Sequence, residues 1–262
     1  MLNSFQSPGD IAFSIFGFPV YYYGIIMAIA VFVGFYIAYL LYKKYYGNSE
    51  LILDISPWLI IFGVLGARIY YCLVNFHYYL VHPMEIFYIR GGGLSIHGMI
   101  IVGFIALLFL AKKYKVSFFT LTDVFLCGTA LAQSIGRWGN FFNSEAFGLP
   151  CDLPWKLYIL PSHRPVEYLN YEYFHPTFLY ESVLDLVMFF VLFTLFKKFS
   201  DKSGVITGFY LVLYSVIRFL VEGFRIDSSL DIFGVPVAQI MSVLLFIFGC
   251  GLLIWKLRQP AI

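Results

Sequence analysis

Long apolar stretches alternate with short polar segments along the whole chain. Seven of them approach or exceed about 18 residues, the length at which an α-helix crosses the hydrocarbon core of a bilayer. Glycine, proline and charged residues separate these stretches, as expected of loops. The pattern predicts an all-α polytopic membrane protein whose seven transmembrane helices form a single membrane domain over residues 1–262. The helices are expected at about 20–42, 52–76, 94–111, 118–137, 177–196, 204–224 and 235–255.

Basic residues follow the first, third, fifth and seventh stretches, so all of these clusters fall on one side of the membrane. Loops on the cytoplasmic side are enriched in lysine and arginine. The N-terminus is therefore predicted outside and the C-terminus in the cytoplasm. The clustered residues are Lys43, Lys44, Lys112, Lys113, Lys115, Lys197, Lys198, Lys202, Lys256 and Arg258.

The longest polar segment, residues 138–176, falls on the outer side in this topology. It contains Pro150, Pro154, Pro161 and Pro165 among mixed polar and aromatic residues. We predict a small, irregular extracytoplasmic head inserted between helices four and five, with room for short strands.

Composition supports a membrane protein and excludes several kinds of site. The chain is 61% hydrophobic and 12% charged, against about 25% charged residues in soluble domains. Its four cysteines are scattered without CxxC spacing, so the sequence indicates neither a disulfide framework nor a thiolate metal site. No histidine or cysteine pair has metal-ligand spacing, and we expect no metal and no cofactor.

Three arginines, Arg68, Arg137 and Arg218, lie within the apolar stretches or at their ends. A charge at the bilayer centre costs at least roughly 2.5–3.5 kcal/mol, and it is retained where it faces a polar cavity. The arginines therefore predict an anionic ligand held in the membrane. Under the predicted topology the other unusual residues share the outer half or lie just above it: Tyr23, His97, Asn140, Glu145, Gly148, His175, Tyr180, Glu181 and Glu222.

Two of these arginines, Arg218 and Arg137, also have a structural interpretation. Arg218 and Glu222 are four residues apart on one helical stripe, together with Tyr214 and Arg225. They could form an ion pair whose only role is to stabilise the helix. Arg137 at a helix end could instead extend towards the membrane surface, although Gly139 nearby suggests a close backbone approach.

The remaining polar residues leave alternatives open. His97 is either a buried structural histidine or a proton acceptor, because its unperturbed pKa lies near 6.5. Glu181 and Asp185 form an acidic pair that could balance the arginines or be purely structural. Asp123 is expected to cap or bridge helices, with no chemistry assigned.

Residues 136–148, GRWGNFFNSEAFG, fit the pattern G-R-x-G-N-F-x-N-x-E-x-x-G. This string resembles the signature of the prolipoprotein diacylglyceryl transferases. Three further blocks agree in type and order: residues 90–98, 175–181 and 218–225. The chain departs from the family at Met99, where a small residue is usual, and after Arg225, where a proline often precedes the aspartate. The resemblance covers nearly the whole chain.

The resemblance implies an enzyme that moves the sn-1,2-diacylglyceryl group of phosphatidylglycerol onto the lipobox cysteine of a prolipoprotein. A thioether forms and glycerol phosphate leaves, the first step of bacterial lipoprotein maturation. The expected partners are this lipid, the prolipoprotein signal peptide and membrane lipids, with no nucleic acid. The expected location is the bacterial cytoplasmic (inner) membrane, with the active site towards the extracytoplasmic side.

The chemistry suggests a role for each candidate residue. Arg137 and Arg218 are the expected phosphate clamps, with Arg68 as a third candidate. His97 is the first choice of base for the substrate thiol, and Glu145 or Glu222 the second. The expected lipid-binding residues also include Asn140, Asn143, Gly148 and Tyr23.

Two other classes of protein remain as alternatives. A transporter or flippase for an anionic lipid or solute would also need intramembrane arginines, although its site should lie near the midplane of a repeated fold. A non-catalytic lipid-binding or scaffold protein is the third class.

Overall fold

The computed structural model describes residues 5–47, 50–89, 92–226, 231–232 and 234–259. Seven helices within this part of the chain are long and apolar enough to cross a membrane, which confirms the predicted number of spans by length and composition. A further short helix, α3, follows the second span. The helices are α1 Tyr22–Tyr46, α2 Glu50–Val74, α3 Phe76–Val81, α4 Ile96–Tyr114, α5 Phe118–Asn143, α6 Thr177–Phe199, α7 Val205–Glu222 and α8 Val237–Leu257.

Short strands are a second class of element. They pair as one three-stranded and two two-stranded sheets among the described residues. The strands are β1 Phe5–Gln6, β2 Ile11–Ile15, β3 Phe18–Tyr21, β4 Leu157–Tyr158, β5 Tyr173–Phe174, β6 Asp231–Ile232 and β7 Val235–Pro236.

The chain divides into two compact units, which are described separately. The first comprises residues 1–38 and 123–262, and the second comprises residues 39–122. The first therefore holds most of α1 and α5 together with α6, α7 and α8, while the second holds α2, α3 and α4. The prediction of one membrane domain over residues 1–262 stays a prediction.

Close backbone contacts and hydrogen bonds from side chains hold the helices of the first unit together. A Cβ atom on Gly128 of α5 would lie 2.1 Å from the carbonyl oxygen of Gly34 on α1, so the two helices can cross this closely only at glycine. Ser134 of α5 and Ser182 of α6 each donate a hydrogen bond of 2.8 Å to the other's carbonyl oxygen. These contacts fix α5 against α1 and α6.

Asp123 has the capping role that the sequence suggested. Its carboxylate accepts hydrogen bonds from the backbone N–H groups of Gly204 and Thr207, both at 2.7 Å, and from the Thr207 hydroxyl at 2.6 Å. Thr207 lies in the first turn of α7, whose leading N–H groups have no partner within the helix. Asp123 therefore caps α7 from α5.

The insertion between α5 and α6 has its own apolar core. Buried Phe141, Phe147, Leu157, Phe174 and Phe178 form this core together with Ala146 and Ile159. Helix α5 supplies one of them because it continues to Asn143, six residues past the predicted end at 137. The insertion is thus built onto the last turns of α5 and the first turn of α6.

The N-terminal residues complete this insertion, which the sequence did not predict. Strand β1 pairs in parallel with β4, and β4 pairs antiparallel with β5. The Phe5 ring stacks on the Phe141 ring with centroids 5.2 Å apart. The following hairpin, β2–β3, turns at Phe16 and Gly17, both with positive φ, and leads into α1.

In the second unit, α2 and α4 cross at glycines. A Cβ on Gly98 would lie 2.2 Å from the carbonyl oxygen of Gly66, so neither position has room for a side chain. The backbone N–H of Ser95 donates to the carbonyl of Ala67 at 3.0 Å. These contacts place the start of α4, which carries His97, against the middle of α2.

Candidate active site

Three arginines of the first unit converge on one buried carboxylate, that of Glu181 in α6. The Nε of Arg137 lies 2.9 Å from Glu181 Oε2, and Nη1 of Arg218 lies 2.9 Å from Oε1. Nη1 of Arg225 lies 3.8 Å from Oε2. The Glu181 side chain is 1% exposed, so this carboxylate is the buried centre of the arginine cluster, defined as Arg137, Arg218 and Arg225.

The cluster is assembled from three separate segments. Arg137 lies near the end of α5, Arg218 near the end of α7, and Arg225 just after α7. Arg218 also pairs with Glu222, four residues on, through Nη2 and Oε2 at 2.6 Å. The ion pair expected from the i,i+4 spacing is therefore present, and it forms one part of a larger network.

The guanidinium groups are more exposed to solvent than the carboxylates that hold them. The side chains of Arg137, Arg218 and Arg225 are 22%, 20% and 14% exposed, against 1% for Glu181 and 3% for Glu222. Three guanidinium groups thus share the two buried carboxylates of Glu181 and Glu222. Their partly exposed edges can attract an anion, and the low dielectric of the membrane strengthens such an attraction.

Arg137 keeps donors available for a ligand. Its contact with Glu181 uses Nε in an ion pair whose angle falls outside the range of a hydrogen bond. No described residue forms a hydrogen bond or ion pair with its two Nη atoms. The outer edge of this guanidinium can therefore contact two oxygens of a phosphodiester, as arginine does in bidentate pairs.

A set of amides and one carboxylate lies beside Arg137 at the end of α5. The Nδ2 groups of Asn140 and Asn143 donate to the two oxygens of Glu145 at 3.4 and 3.3 Å. Ser144 and Ala146, on either side of Glu145, have φ of 54° and 53°, a conformation that non-glycine residues adopt rarely. The strained turn holds Glu145 back over the helix end.

Gly148 has a structural role at this site. A Cβ at this position would lie 2.5 Å from the carbonyl oxygen of Phe224, and Gly148 forms an isolated β-bridge with Arg225. Its N–H donates to the carbonyl of His175 at 2.8 Å. The missing side chain therefore allows the insertion to pack against the segment that carries Arg225.

Tyr23, in the first turn of α1, packs over the end of α5. A Cβ on Gly139 would lie 2.8 Å from Cδ2 of the tyrosine ring, which gives the physical reason for glycine at this position. The Tyr23 side chain interacts electrostatically with Glu145 and Arg137. Tyr23 thus lies at the same helix end as the amides.

Arg68 belongs to the second unit and has a different set of partners. Its five N–H groups donate to five backbone carbonyls, at distances from 2.5 to 3.2 Å, and the guanidinium lies over the rings of Tyr71 and Tyr79. Every donor is used, so the geometry does not favour the phosphate contact that the sequence suggested. The carbonyls belong to Glu85, Ile86, Tyr88, Gly92 and Gly93.

A cavity of about 410 Å³ opens beside Arg68, and four of the residues that line it are tyrosines. The Tyr78 hydroxyl donates to Glu85 Oε2 at 2.7 Å, and this hydrogen bond raises the pKa of Tyr78 above its usual value. Arg68 thus organises the segment between α2 and α4.

His97 also lies in the second unit, in the first turn of α4. Its side chain is exposed, and its ring meets the Tyr70 ring at a centroid distance of 5.9 Å. Exposure is compatible with a proton acceptor, and it contradicts the interpretation as a buried core histidine. The neighbouring Arg90 and Gly91 lie outside the described residues, as does Asp227.

The central position of Glu181 and the part played by Arg225 were not predicted from the sequence. Arg225 was expected only as a member of the α7 stripe, and Glu181 was left between a balancing and a structural role. The available signal was the place of Glu181 in the block 175–181 that resembles the family. Within the described residues no group of three or more His, Cys, Asp or Glu side chains could hold a metal ion.

Seven candidate spanning helices, with a partly exposed arginine cluster around Glu181, define a multi-pass membrane protein. The profile of the family described as prolipoprotein diacylglyceryl transferase matches residues 10–255. The chain belongs to this family.

Individual relatives agree with this assignment. A protein of Synechocystis sp. named phosphatidylglycerol--prolipoprotein diacylglyceryl transferase is 43% identical over 258 residues, which cover 97% of this chain and 91% of that protein. A protein of the same name from Nostoc sp. is 43% identical, covering 96% of this chain and 90% of its own length. A third, from Synechococcus sp. strain CC9902, is 42% identical with coverages of 96% and 94%.

Proposed function

We propose that this protein transfers the sn-1,2-diacylglyceryl group of phosphatidylglycerol to the thiol of the lipobox cysteine of a prolipoprotein. The observation that carries the proposal is the arginine cluster around Glu181, with the outer donors of Arg137 unengaged by described residues. The names of the relatives supply the two substrates.

Phosphate binding follows from the charge and direction of these groups. Phosphatidylglycerol carries one negative charge on its phosphodiester, which the partly exposed guanidinium groups can bind. Arg137 contacts two phosphate oxygens through its Nη groups, while Glu181 and Glu222 hold Arg218 in a fixed orientation beside them. Asn140, Asn143 and Glu145 then bind the hydroxyl groups of the glycerol head.

The reaction increases the negative charge of the phosphate. The cysteine sulfur attacks the terminal glyceryl carbon of the diacylglyceryl group and forms a C–S bond. The bond between that carbon and the phosphate oxygen breaks, and its electron pair leaves with glycerol phosphate. The arginines stabilise the second charge as it develops, which lowers the barrier because this interaction is stronger in the transition state than in the bound lipid.

The thiol must lose its proton during this step. Glu222 is already paired with Arg218, and Glu145 already accepts two amide hydrogen bonds. His97, exposed at the start of α4, is the first choice of base, with Glu145 or Glu222 the second.

The proposed topology places this chemistry on the extracytoplasmic side. In α6, Glu181 lies near the first turn and Lys197 and Lys198 lie in the last turn. If the lysine end is cytoplasmic, as the positive-inside rule predicts, the arginine cluster is at the outer end, where the insertion becomes an extracytoplasmic head. The proposed membrane is the bacterial cytoplasmic membrane.

A transfer assay with labelled phosphatidylglycerol and a lipobox peptide tests the proposal. The wild-type protein should form a thioether-linked diacylglyceryl peptide and release glycerol phosphate. Arg137→Ala and Arg218→Ala should lower this transfer at least about a hundredfold, while Arg258→Ala, an exposed arginine at the other end of the protein, should not.

Two results would contradict the proposal. Movement of the lipid between leaflets without any thioether product would indicate the transporter or flippase alternative. Normal transfer by both cluster variants would mean that the arginines do not bind the reacting phosphate.

A further inference from the structure

Asp185 of α6 is a buried carboxylate without a partner. Its side chain is 1% exposed, and neither carboxylate oxygen has a hydrogen bond or an ion pair among the described residues. Every other buried charged side chain in that part of the chain has at least one of these contacts: Arg68, Asp123, Glu181, Glu222 and Lys256.

An unpaired carboxylate is costly inside a membrane protein, where such residues are functional by default. Asp185 is four residues after Glu181, so the two lie on the same face of α6, one turn apart. The charged groups that act on it electrostatically are Glu181 on its own helix, Arg137 on α5 and Arg218 on α7. Tyr210 and Tyr214 of α7 face it as well.

Three guanidinium groups oppose the buried carboxylates of Glu181 and Glu222. An ionised Asp185 would be a third buried carboxylate acting on Arg137 and Arg218. A carboxylate in contact with the Nη groups of Arg137 would occupy the donors that the phosphodiester needs. Asp185 acts electrostatically on Arg137 and Arg218 but forms no hydrogen bond or ion pair with them.

We propose that Asp185 is a positioning residue that offsets the charge of the arginine cluster from one helical turn away, leaving the donors of Arg137 free for the lipid phosphate. The inference rests on the proposed function, because it assigns the cluster to the phosphate of phosphatidylglycerol. Its consequence concerns release of the product, since glycerol phosphate leaves as a dianion from a site whose guanidinium groups would otherwise hold it more tightly.

Removing this negative charge should tighten the binding of anions in a defined proportion. The electrostatic energy of a dianion is twice that of a monoanion at the same place, so the fold-change in its dissociation constant is the square of that for the monoanion. In Asp185→Asn we expect the dissociation constant to fall about threefold for phosphatidylglycerol and about tenfold for glycerol phosphate. Slower product release should lower kcat.

The experiment measures both dissociation constants in detergent micelles at pH 8, where glycerol phosphate is a dianion. No acceptor peptide is present, so no transfer takes place. Asp185→Glu should bind both anions as the wild-type protein does, because it keeps the carboxylate charge. Asp152→Asn is the matched control, since Asp152 is 93% exposed on the insertion and its loss should change neither constant. Size-exclusion chromatography and the melting temperature establish that each variant is folded.

Two outcomes overturn the inference. Unchanged dissociation constants would mean that Asp185 contributes no negative charge to the site. Weaker binding of both anions in Asp185→Asn would mean a purely structural role. The same conclusion would follow if Asp185→Asn did not fold and Asp185→Glu bound anions abnormally. If the constants shift as expected but the wild-type protein forms no thioether product, the proposed function fails and the assignment of Asp185 stands.

Discussion

Glu181 Oε2 and Arg137 Nε lie 2.9 Å apart, although 43 residues and the whole insertion separate the two residues along the chain. The same carboxylate also holds Arg218 and approaches Arg225. The insertion between α5 and α6 is therefore tied to the site at both ends, by Arg137 before it and Glu181 after it. A carboxylate with three arginines orders donors that would otherwise repel one another.

Glu181→Gln tests this organising role. The substitution keeps the shape of the side chain but leaves the arginines without their shared counter-charge. We expect transfer to fall at least about a hundredfold. The free energy of unfolding should fall by about 2–3 kcal/mol, below the full effect of breaking a buried pair because the arginines remain about a fifth exposed.

The measurements are the transfer assay and denaturant titration in mixed micelles. Glu167→Gln is the matched control, because Glu167 is exposed on the insertion and should retain wild-type transfer and stability. Wild-type activity in Glu181→Gln would show that the arginines keep their positions without this carboxylate.

Gly148→Ala tests the close approach between the insertion and the segment after α7. The added methyl group would lie 2.5 Å from the carbonyl oxygen of Phe224, which is backbone and cannot rotate away. The bridge to Arg225 must then shift, and we expect transfer to fall about tenfold or more, because small misplacements of a binding group are costly in catalysis.

Gly103→Ala provides the comparison for that variant. No atom lies within 4 Å of the Cβ it would add in α4, so it should retain activity, with a small gain in helix stability. If Gly148→Ala had wild-type transfer, the position of Arg225 would not matter for the reaction.

Arg68→Lys distinguishes a structural arginine from a phosphate ligand. Lysine keeps the charge but cannot donate to five carbonyls at once. We expect faster hydrogen exchange in residues 82–89, which contain three of the five acceptor carbonyls, with the dissociation constant of phosphatidylglycerol changed less than about threefold. Arg137→Lys should show the converse, because it lies in the proposed clamp.

Exchange mass spectrometry and lipid-binding measurements on both variants provide the comparison. Equal loss of lipid binding in Arg68→Lys and Arg137→Lys would return Arg68 to the phosphate clamp.

The site was only partly accessible from sequence. The pairing of Arg218 with Glu222 could be predicted, because residues four apart on a helix are neighbours whatever the fold. The cluster around Glu181 could not, since its members come from α5, α6 and the region of α7 through contacts between segments 37 or more residues apart. Arg68 shows the opposite case: its position in an apolar stretch suggested a ligand, but the following loop folds back and takes all its donors.

What the sequence determined by itself is the set of spanning helices and the family. A run of about 20 apolar residues must satisfy its own backbone in lipid, and a helix does so with local hydrogen bonds only. The tertiary structure alone decided the elements that have no periodic hydrophobic pattern in the local sequence. One of these is β1, which pairs with β4 about 150 residues away. It also decided which carboxylates hold the arginines, because partners that are distant in sequence meet only when the helices pack.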